Sequence, residues 1–303
     1  MISRQWMQTV IFAVVGVMYW LAPVAAQTTL RWKFAPDQNF VVRCSQQTEV
    51  ETSVNNKPRR AQLEMSMELA WQVDEVDEAG VATIQQSFTR LQLKTTAPEA
   101  EPVVYDSESS SKPIGTAREI AASVAPLIGA KFVVRMDARG NVQAVTLSDE
   151  TQQTIDKLPA ENQLKQLLSK EGLTNLFRMG GGQLPDKPVN PGDTWPADSE
   201  TQTPFGKLLQ QGSYTYVGQE TVGDQQLDKI ELQSTAKLTP KEDAAVKLQN
   251  QEQTKTGTLL FDSEKGHAVS SETKLSSKSV RPFRDTQIHI RIHGTTRLEI
   301  TAK

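Results

Sequence analysis

The sequence has a single cysteine, Cys44, among its 303 residues. A chain with one cysteine closes no internal disulfide, so its fold has to rest on a hydrophobic core. Cys44 is in phase with Phe40 and Val42, which indicates a small buried residue rather than a reactive thiol. Aromatic residues make up 6% of the chain and are not interleaved with arginine and lysine, as a nucleic-acid platform requires. The net charge of −3 gives no electrostatic reason to expect nucleic acid or an anionic membrane as a partner.

Long hydrophobic runs are absent except at the start of the chain, where one predicts export. Arg4 gives a basic n-region, residues 10–21 form an apolar and aromatic run, and residues 24–26 offer the small side chains needed before Gln27. The run is shorter than the roughly 20 residues that span a bilayer, and Cys44 lies well past the cleavage site, so no lipobox cysteine is present to carry a lipid. We therefore predict a signal peptide over residues 1–26 and a soluble periplasmic or extracellular chain with no membrane span after cleavage.

The sequence also lacks recognisable catalytic motifs. It contains no Gly-x-Ser-x-Gly elbow and no His-Glu-x-x-His. Glycines 180–182 follow a predicted helix, whereas the glycines of a phosphate loop precede one. We expect no catalytic, cofactor-binding or metal-binding residues, no cofactor, and no enzymatic activity.

The three histidines, His267, His289 and His293, are the first candidates for a metal site. On a strand, His289 and His293 share one face with Arg291 between them. That cation, with no carboxylate in the same strand, favours a solvated sheet face over zinc. His267 is assigned to a turn without an obvious partner. The acidic cluster at residues 74–78 lacks the spacing of a calcium loop and is interpreted as a solvated turn.

Alternation of apolar and polar residues predicts that antiparallel sheet dominates the fold. The clearest strand runs from Leu63 to Val73, with apolar residues at every odd position. An acidic turn and a return strand to about Leu93 complete a hairpin, and the apolar phase changes between Phe88 and Leu91, which predicts a bulge. Further strands are predicted at 30–34, 40–44, 132–136, 142–147, 214–216, 230–238, 259–261, 269–275, 288–292 and 298–300.

Helical and irregular segments divide these strands into two groups. A helix is predicted from Thr116, where a capping box starts, to Pro126. Ser148 starts a second helix, and Pro159 starts a third. Residues 95–113, rich in Glu, Ser and Pro, predict a mobile loop.

We predict an α+β fold, predominantly antiparallel β-sheet, in which a short helical segment joins two β-rich halves. The N-terminal half covers residues 27–147, the helical segment with its Gly/Pro linker covers 148–192, and the C-terminal half covers 193–303. The halves share a pattern of hairpins and glycine turns, and whether they are a true duplication is left open.

Four short motifs in a fixed order resemble a known family. They are residues 31–34 (RWKF), 105–107 (YDS), 126–132 (PLIGAKF) and 184–195 (LPDKPVNPGDTW). In this order they are similar to a family of exported bacterial proteins, frequent in planctomycetes and catalogued as domain of unknown function 6263. The resemblance covers nearly the whole mature chain and implies no established activity. Within it, Trp195 is interpreted as a core residue, with an exposed binding aromatic as the alternative, and Tyr105 as the anchor of its loop.

The predicted function is that of a non-enzymatic binding protein of the periplasm or cell envelope. Curved antiparallel sheets capped by helices often enclose an apolar cavity, which suggests a hydrophobic ligand, by analogy with lipoprotein carriers. The alternative is a structural or protein-interaction module without a small-molecule ligand. A hydrolase with dispersed catalytic residues is the least favoured class. An apolar cavity inside the sheet would separate the first two.

Overall fold

The computed structural model describes residues 27–156, 183–203, 206–241, 249–283 and 286–303. The predicted signal peptide, the start of the predicted helix at Pro159 and glycines 180–182 lie outside these residues. The described chain is mostly antiparallel sheet, with two short α-helices. The elements in chain order are β1 (Asn39–Val54), β2 (Lys57–Val76), β3 (Ala82–Thr96), β4 (Val103–Asp106), α1 (Thr116–Val124), a 3₁₀ turn (Ala125–Leu127), β5 (Lys131–Met136), β6 (Val142–Leu147), α2 (Asp149–Asp156), β7 (Thr194–Pro196), β8 (Ser199–Thr203), β9 (Gly206–Val222), β10 (Gln225–Pro240), β11 (Gln249–Asp262), β12 (His267–Phe283) and β13 (Thr286–Ala302).

The thirteen strands of the described chain form one sheet, in which the first and last strands meet. The order is β6-β5-β3-β2-β1-β13-β12-β11-β10-β9-β7, with β4 beside β3 and β8 beside β9. β1 and β13 are antiparallel neighbours, with Phe40 opposite Ala302 at one end and Val54 opposite Ile288 at the other. The strands on either side of residues 148–192 are therefore hydrogen-bonded into one continuous sheet.

The side chains of β2 alternate as the sequence predicts. Met67, Leu69, Trp71 and Val73 are all buried, and the residues between them are more exposed. Neighbouring strands pair in register, so Met67 lies opposite Cys44 of β1. We call the side of the sheet that carries Met67, Leu69, Trp71 and Val73 the core face, and the opposite side the polar face.

The predicted bulge lies in β3 at Thr89. Glu68 of β2 pairs with Arg90, and the next residue, Leu69, pairs with Phe88, so Thr89 is the extra residue. One extra residue reverses the side-chain phase of a strand. The apolar residues on both sides of the bulge therefore face the core, as the phase change in the sequence indicated.

The strand predicted at residues 30–34 is wrong. The segment is extended but joins no ladder. The N–H of Trp32 donates to the Ala138 carbonyl and that of Lys33 donates to the Gly266 carbonyl, each at 2.8 Å, and both acceptors lie in hairpin turns. Trp32 is nevertheless only 3% exposed. The segment alternates because one side of it covers the core, while its backbone bonds to turns instead of to a strand.

The prediction of a loop over residues 95–113 is wrong in part, because β4 lies within it and pairs with β3. Tyr105 of β4 is 9% exposed, and Asp106 forms an ion pair with Arg90 at 2.8 Å. The predicted anchoring role of Tyr105 agrees with this burial. A strand of four residues is too short to show a clear alternation, which is why its sequence pattern indicated a loop.

Two predicted helices begin where the sequence indicates. α1 starts at Thr116, but its N-cap is Gly115, which makes no side-chain bond, so the predicted capping box is wrong. Pro126 lies in the 3₁₀ turn that ends this helix. At α2, the Ser148 hydroxyl accepts a bond from the Thr151 N–H at 3.2 Å. No helix within the described ranges combines the length and the apolar character needed to cross a bilayer.

An aromatic cluster forms the centre of the core at one end of the sheet. The Trp32 ring lies 6.0 Å from Phe261 and 6.4 Å from Trp71, and it stacks on Phe34 at 5.2 Å. Edge-to-face and stacked aromatic pairs stabilise a fold by more than their buried area alone. The contacts of Trp32 with Trp71 and Phe261 therefore hold the extended segment at residues 30–34 against the sheet.

Candidate functional site

His289 and His293 lie on the same face of β13, as the alternation of the strand predicts. Both are exposed on the polar face of β13. Arg291, between them, pairs with Glu51 of β1 at 2.7 Å. Across the described residues, no group of three or more His, Cys, Asp or Glu side chains is placed to hold a metal ion.

His267 is a core residue, and its assignment to a turn is wrong, because it opens β12. It is 7% exposed, and its ring lies 5.7 Å from that of Phe40. Its Nδ1 is 3.0 Å from the Ala268 carbonyl oxygen. A buried ring with one local backbone partner packs in the core and does not face a substrate.

The acidic turn after β2 is built around one carboxylate. Asp77 Oδ1 accepts the N–H groups of Ala79 and Val81 at 3.0 and 2.9 Å. Its Oδ2 pairs with Arg135 at 3.0 Å. Asp77 therefore closes the turn and ties it to β5, which is a structural role.

Trp195 packs as the core residue that the sequence suggested. Its side chain is 9% exposed, and its Nε1–H donates to the Gln183 carbonyl at 2.6 Å. Its ring stacks on Tyr214 at 5.6 Å. The alternative of an exposed binding aromatic is wrong.

Cys44 is half-buried on the core face. Burial raises the pKa of its thiol. Since the thiolate is the nucleophilic form, Cys44 is a poor nucleophile in this environment.

A cavity of about 500 Å³ lies on the polar face across five adjacent strands, β2, β1, β13, β12 and β11. Its charged groups are partly paired, as Glu64 is with Lys94 at 3.2 Å. Most of the fourteen residues that line the cavity are polar, so it is not the apolar cavity that the ligand hypothesis expected. They are Gln47, Thr48, Glu49, Gln62, Leu63, Glu64, Thr254, Thr256, Lys274, Leu275, Ser276, His293, Gly294 and Thr295.

The core face continues beyond the hydrophobic core as a half-exposed aliphatic surface. On β13 it carries three isoleucines in succession on one face, opposite residues of β1 and β12. All of its members are half-buried, and none belongs to the main core cluster. We call this surface the aliphatic patch, which consists of Val50, Leu63, Leu275, Ile288, Ile290 and Ile292.

Polar side chains border the aliphatic patch on the same face. Lys255 of β11 lies opposite Leu275 of the patch on one side and opposite Ser234 of β10 on the other. Ser234 is 3% exposed, and its Oγ is buried without a hydrogen-bond partner among the described residues. Lys255 forms no ion pair within the described ranges, and burial lowers the pKa of its ammonium group. Ser234 is therefore buried and Lys255 half-buried, side by side and without compensation from the described residues.

Sequence reasoning missed this pair, although a signal for it exists. Lys255 is in phase with Leu259 and Phe261, and Ser234 is in phase with Leu232 and Ala236. A strand that places a lysine or serine at an apolar phase directs it to the inner face. That departure from alternation was the available clue.

The fold and these surfaces define an antiparallel β protein with one large sheet, a core at one end and a half-exposed aliphatic surface beyond it. The chain belongs to a family of unknown function, DUF6263, whose model matches residues 79–268. Comparison with curated proteins gives no match.

Similarity to solved structures is weak. A lipovitellin structure concerned with lipid–protein interactions aligns with a TM-score of 0.46 and 16% identity over 89% of this chain, which spans 26% of the lipovitellin chain. An outer membrane channel from Pseudomonas putida F1 aligns with a TM-score of 0.22 and 7% identity, over 89% of this chain and 97% of that one. The translocator domain of NalP from Neisseria meningitidis has a TM-score of 0.22 and 8% identity, over 87% and 89% of the two chains.

Proposed function

We propose that this protein is an exported, soluble, non-enzymatic binding protein that holds a hydrophobic ligand against the aliphatic patch. The observation that carries the proposal is the half-exposure of six aliphatic side chains on the same face as the core. Removing apolar surface from water stabilises by roughly 25 cal/mol per Å². A group of half-exposed aliphatic side chains outside the core cluster is therefore suited to bind an apolar molecule.

The two faces of the sheet support this orientation of the ligand. On the polar face, cross-strand ion pairs such as Arg43 with Glu68 at 3.0 Å and Arg297 with Glu272 at 2.7 Å suit contact with water. The core face offers aliphatic groups from four neighbouring strands, β2, β1, β13 and β12. A lipid-like molecule would lie on the core face beyond the core, toward the strand ends that are opposite the aromatic cluster.

Export and the lack of catalysis belong to the same proposal. The n-region, apolar run and small residues before Gln27 support export. Two of the described histidines lie on the polar face and the third lies in the core, so the three do not form a common catalytic site. This arrangement supports a non-enzymatic protein. N-terminal sequencing of protein recovered from the periplasm or medium is expected to begin at Gln27, and an intact Met1 would contradict export by cleavage.

Residues 148–192 are proposed to join two β-rich halves. The support is chain order, since this segment follows β6 and precedes β7 at opposite ends of the sheet. Limited proteolysis is expected to cut within the segment and to leave two fragments that stay associated through the β1–β13 ladder. Cleavage first at other positions would contradict this division.

Mass spectrometry of the natively purified protein tests the ligand directly. Wild type is expected to carry a lipid-like molecule. A variant with Ile290→Thr and Ile292→Thr keeps β-branched residues in the strand but removes apolar surface, and it should lose most of that molecule. Ile114→Ser is the matched control, because Ile114 is 82% exposed and lies in the loop before α1.

The contrary result is equally definite. If the wild type carries no such molecule and does not bind a neutral fluorescent apolar probe, the ligand proposal is wrong. The alternative, a structural or interaction module of the cell envelope, would then be supported. Circular dichroism of the threonine variant shows whether its sheet is intact.

A further inference from the structure

Two uncompensated polar groups on the core face lie directly across from each other. Ser234 and Lys255 are paired residues of neighbouring antiparallel strands, and such pairs have Cβ atoms about 4.5–5.5 Å apart. The serine hydroxyl and the lysine ammonium group therefore reach toward a common region. Both groups donate hydrogen bonds.

Among the described residues that pair with Lys255 or flank it on the same face, none carries a negative charge. Leu275 lies opposite on the other side, and Gln253 and Gly257 are the neighbours on the same face of β11. None of these carries a charge. A half-buried cation among neutral groups lacks the partner that buried charges require.

Buried polar atoms are normally hydrogen-bonded, and a partner suited to both Lys255 and Ser234 is one that accepts hydrogen bonds. The pair borders Leu275, which belongs to the aliphatic patch.

We propose that Lys255 and Ser234 form the head-group site for an anionic amphiphile, whose carboxylate or phosphate they bind while its hydrocarbon chain lies on the aliphatic patch. This inference rests on the proposed function and specifies the chemistry of its ligand. The anion accepts hydrogen bonds from both groups, and charge-assisted bonds of this kind are the stronger ones. Strands are about 4.8 Å apart and residues about 3.4 Å apart along a strand, so a chain leaving Lys255 crosses Leu275 of β12 and reaches Ile292 of β13, the first isoleucine of the patch, after about 12 Å.

The test compares amphiphiles of one chain length that differ only in the head group. Lauric acid, dodecyl phosphate and neutral dodecanol compete against a neutral fluorescent apolar probe on the full mature chain stripped of lipid. Wild type is expected to bind at least one of the anions about tenfold more tightly than dodecanol. The acid and the phosphate arms distinguish the two sources of negative charge.

Three substitutions connect this preference to the site. Lys255→Met keeps the length of the side chain and should remove the preference for anions without weakening dodecanol binding. Lys255→Arg should retain the preference, and Ser234→Ala should reduce it. Lys278→Met is the control, because Lys278 is exposed on the polar face opposite Arg291, and it should change nothing. Thermal unfolding of each variant confirms that it is folded.

The two proposals fail in different ways. If wild type binds dodecanol as tightly as both anions and Lys255→Met changes no affinity, the head-group site is wrong while the hydrophobic ligand stands. If no amphiphile displaces the probe, or the probe itself does not bind, both proposals are wrong.

Discussion

Asp106 connects the loop before α1 to the sheet through four hydrogen bonds to its carboxylate, two of which Arg90 donates. Its Oδ2 accepts from Arg90 at 2.8 Å and from Gln92 at 2.9 Å, and its Oδ1 accepts from the Glu108 N–H at 3.0 Å. The Arg90 guanidinium first, and the other two donors after it, hold the pKa of Asp106 well below its usual range. The ionised carboxylate therefore favours the folded chain.

The pH dependence of unfolding measures this contribution. Because the folded pKa is depressed, the stabilisation is present above the unfolded pKa of about 3.9 and is lost as the pH falls through the folded value. Asp106→Asn should be less stable than wild type in urea at neutral pH, and this difference should shrink as the pH falls below about 4. Glu101→Gln, an exposed carboxylate in the same loop, is the control and should follow wild type. A constant difference at all pH values would contradict this assignment.

At the scale of elements, the turn between β11 and β12 supports the extended segment before β1. The Gly266 carbonyl accepts the Lys33 N–H at 2.8 Å, and Lys33 Nζ donates to the Ser263 carbonyl at 2.8 Å. Gly266 has a φ of +73°, and a Cβ built on it would collide with the backbone and side chain of Lys33. Glycine is required here for both conformation and space.

Substitution of Gly266 should therefore lower the free energy of unfolding more than substitution of a turn glycine that has no atoms near its Cβ position. Gly223, with a φ of +60° and nothing near its built Cβ, is the matched control. Gly223→Ala should cost about 1–2 kcal/mol from the left-handed backbone alone. Gly266→Ala should cost more, roughly 3 kcal/mol or above, because the collision adds to this strain. Urea unfolding of both proteins gives the comparison, and equal losses would exclude a role for the contact with Lys33.

Local patterns predicted the elements whose partners are close in sequence. The β2–β3 hairpin and its bulge at Thr89 follow from alternation and a turn, which are both visible within thirty or so residues. Residues 30–34 show the same alternation, yet their backbone bonds to turns far away in the chain, and no local pattern carries that information. The site pair, Ser234 and Lys255, is visible only as a break of phase within each strand, and the meeting of these strands depends on topology.

At the scale of the whole molecule, β13 is the strand that joins the two groups of strands. It lies between β1 and β12 and pairs with each along most of its length. The sequence predicted two β-rich halves because the Gly/Pro linker separates them along the chain. It could not predict their junction, since pairing between residues 40 and 302 leaves no local trace.

Deletion of residues 286–303 should therefore prevent the sheet from folding as one unit. The truncated chain would expose the facing edges of β1 and β12, and long exposed edges promote aggregation. Removal of Lys303 alone is the control, because only its N–H, which donates to the Asn39 carbonyl at 2.9 Å, would be lost. Light scattering and chemical unfolding should show aggregation or loss of cooperativity for the long deletion only. A monomeric, cooperatively unfolding truncated protein would contradict the central role of β13.

The central position of β13 also determines when the sheet can be completed during folding. Chains are made from the N-terminus onward, so β1 emerges early while the strand that completes its pairing is the last of the described strands to be made. Until then β1 has β2 on one side and an open edge on the other, and contacts of such long sequence separation form slowly. Until β13 is made, the incomplete sheet can therefore aggregate through the open edge of β1, unless synthesis is fast or other proteins cover that edge. The synthesis of the final eighteen or so residues ends this exposure.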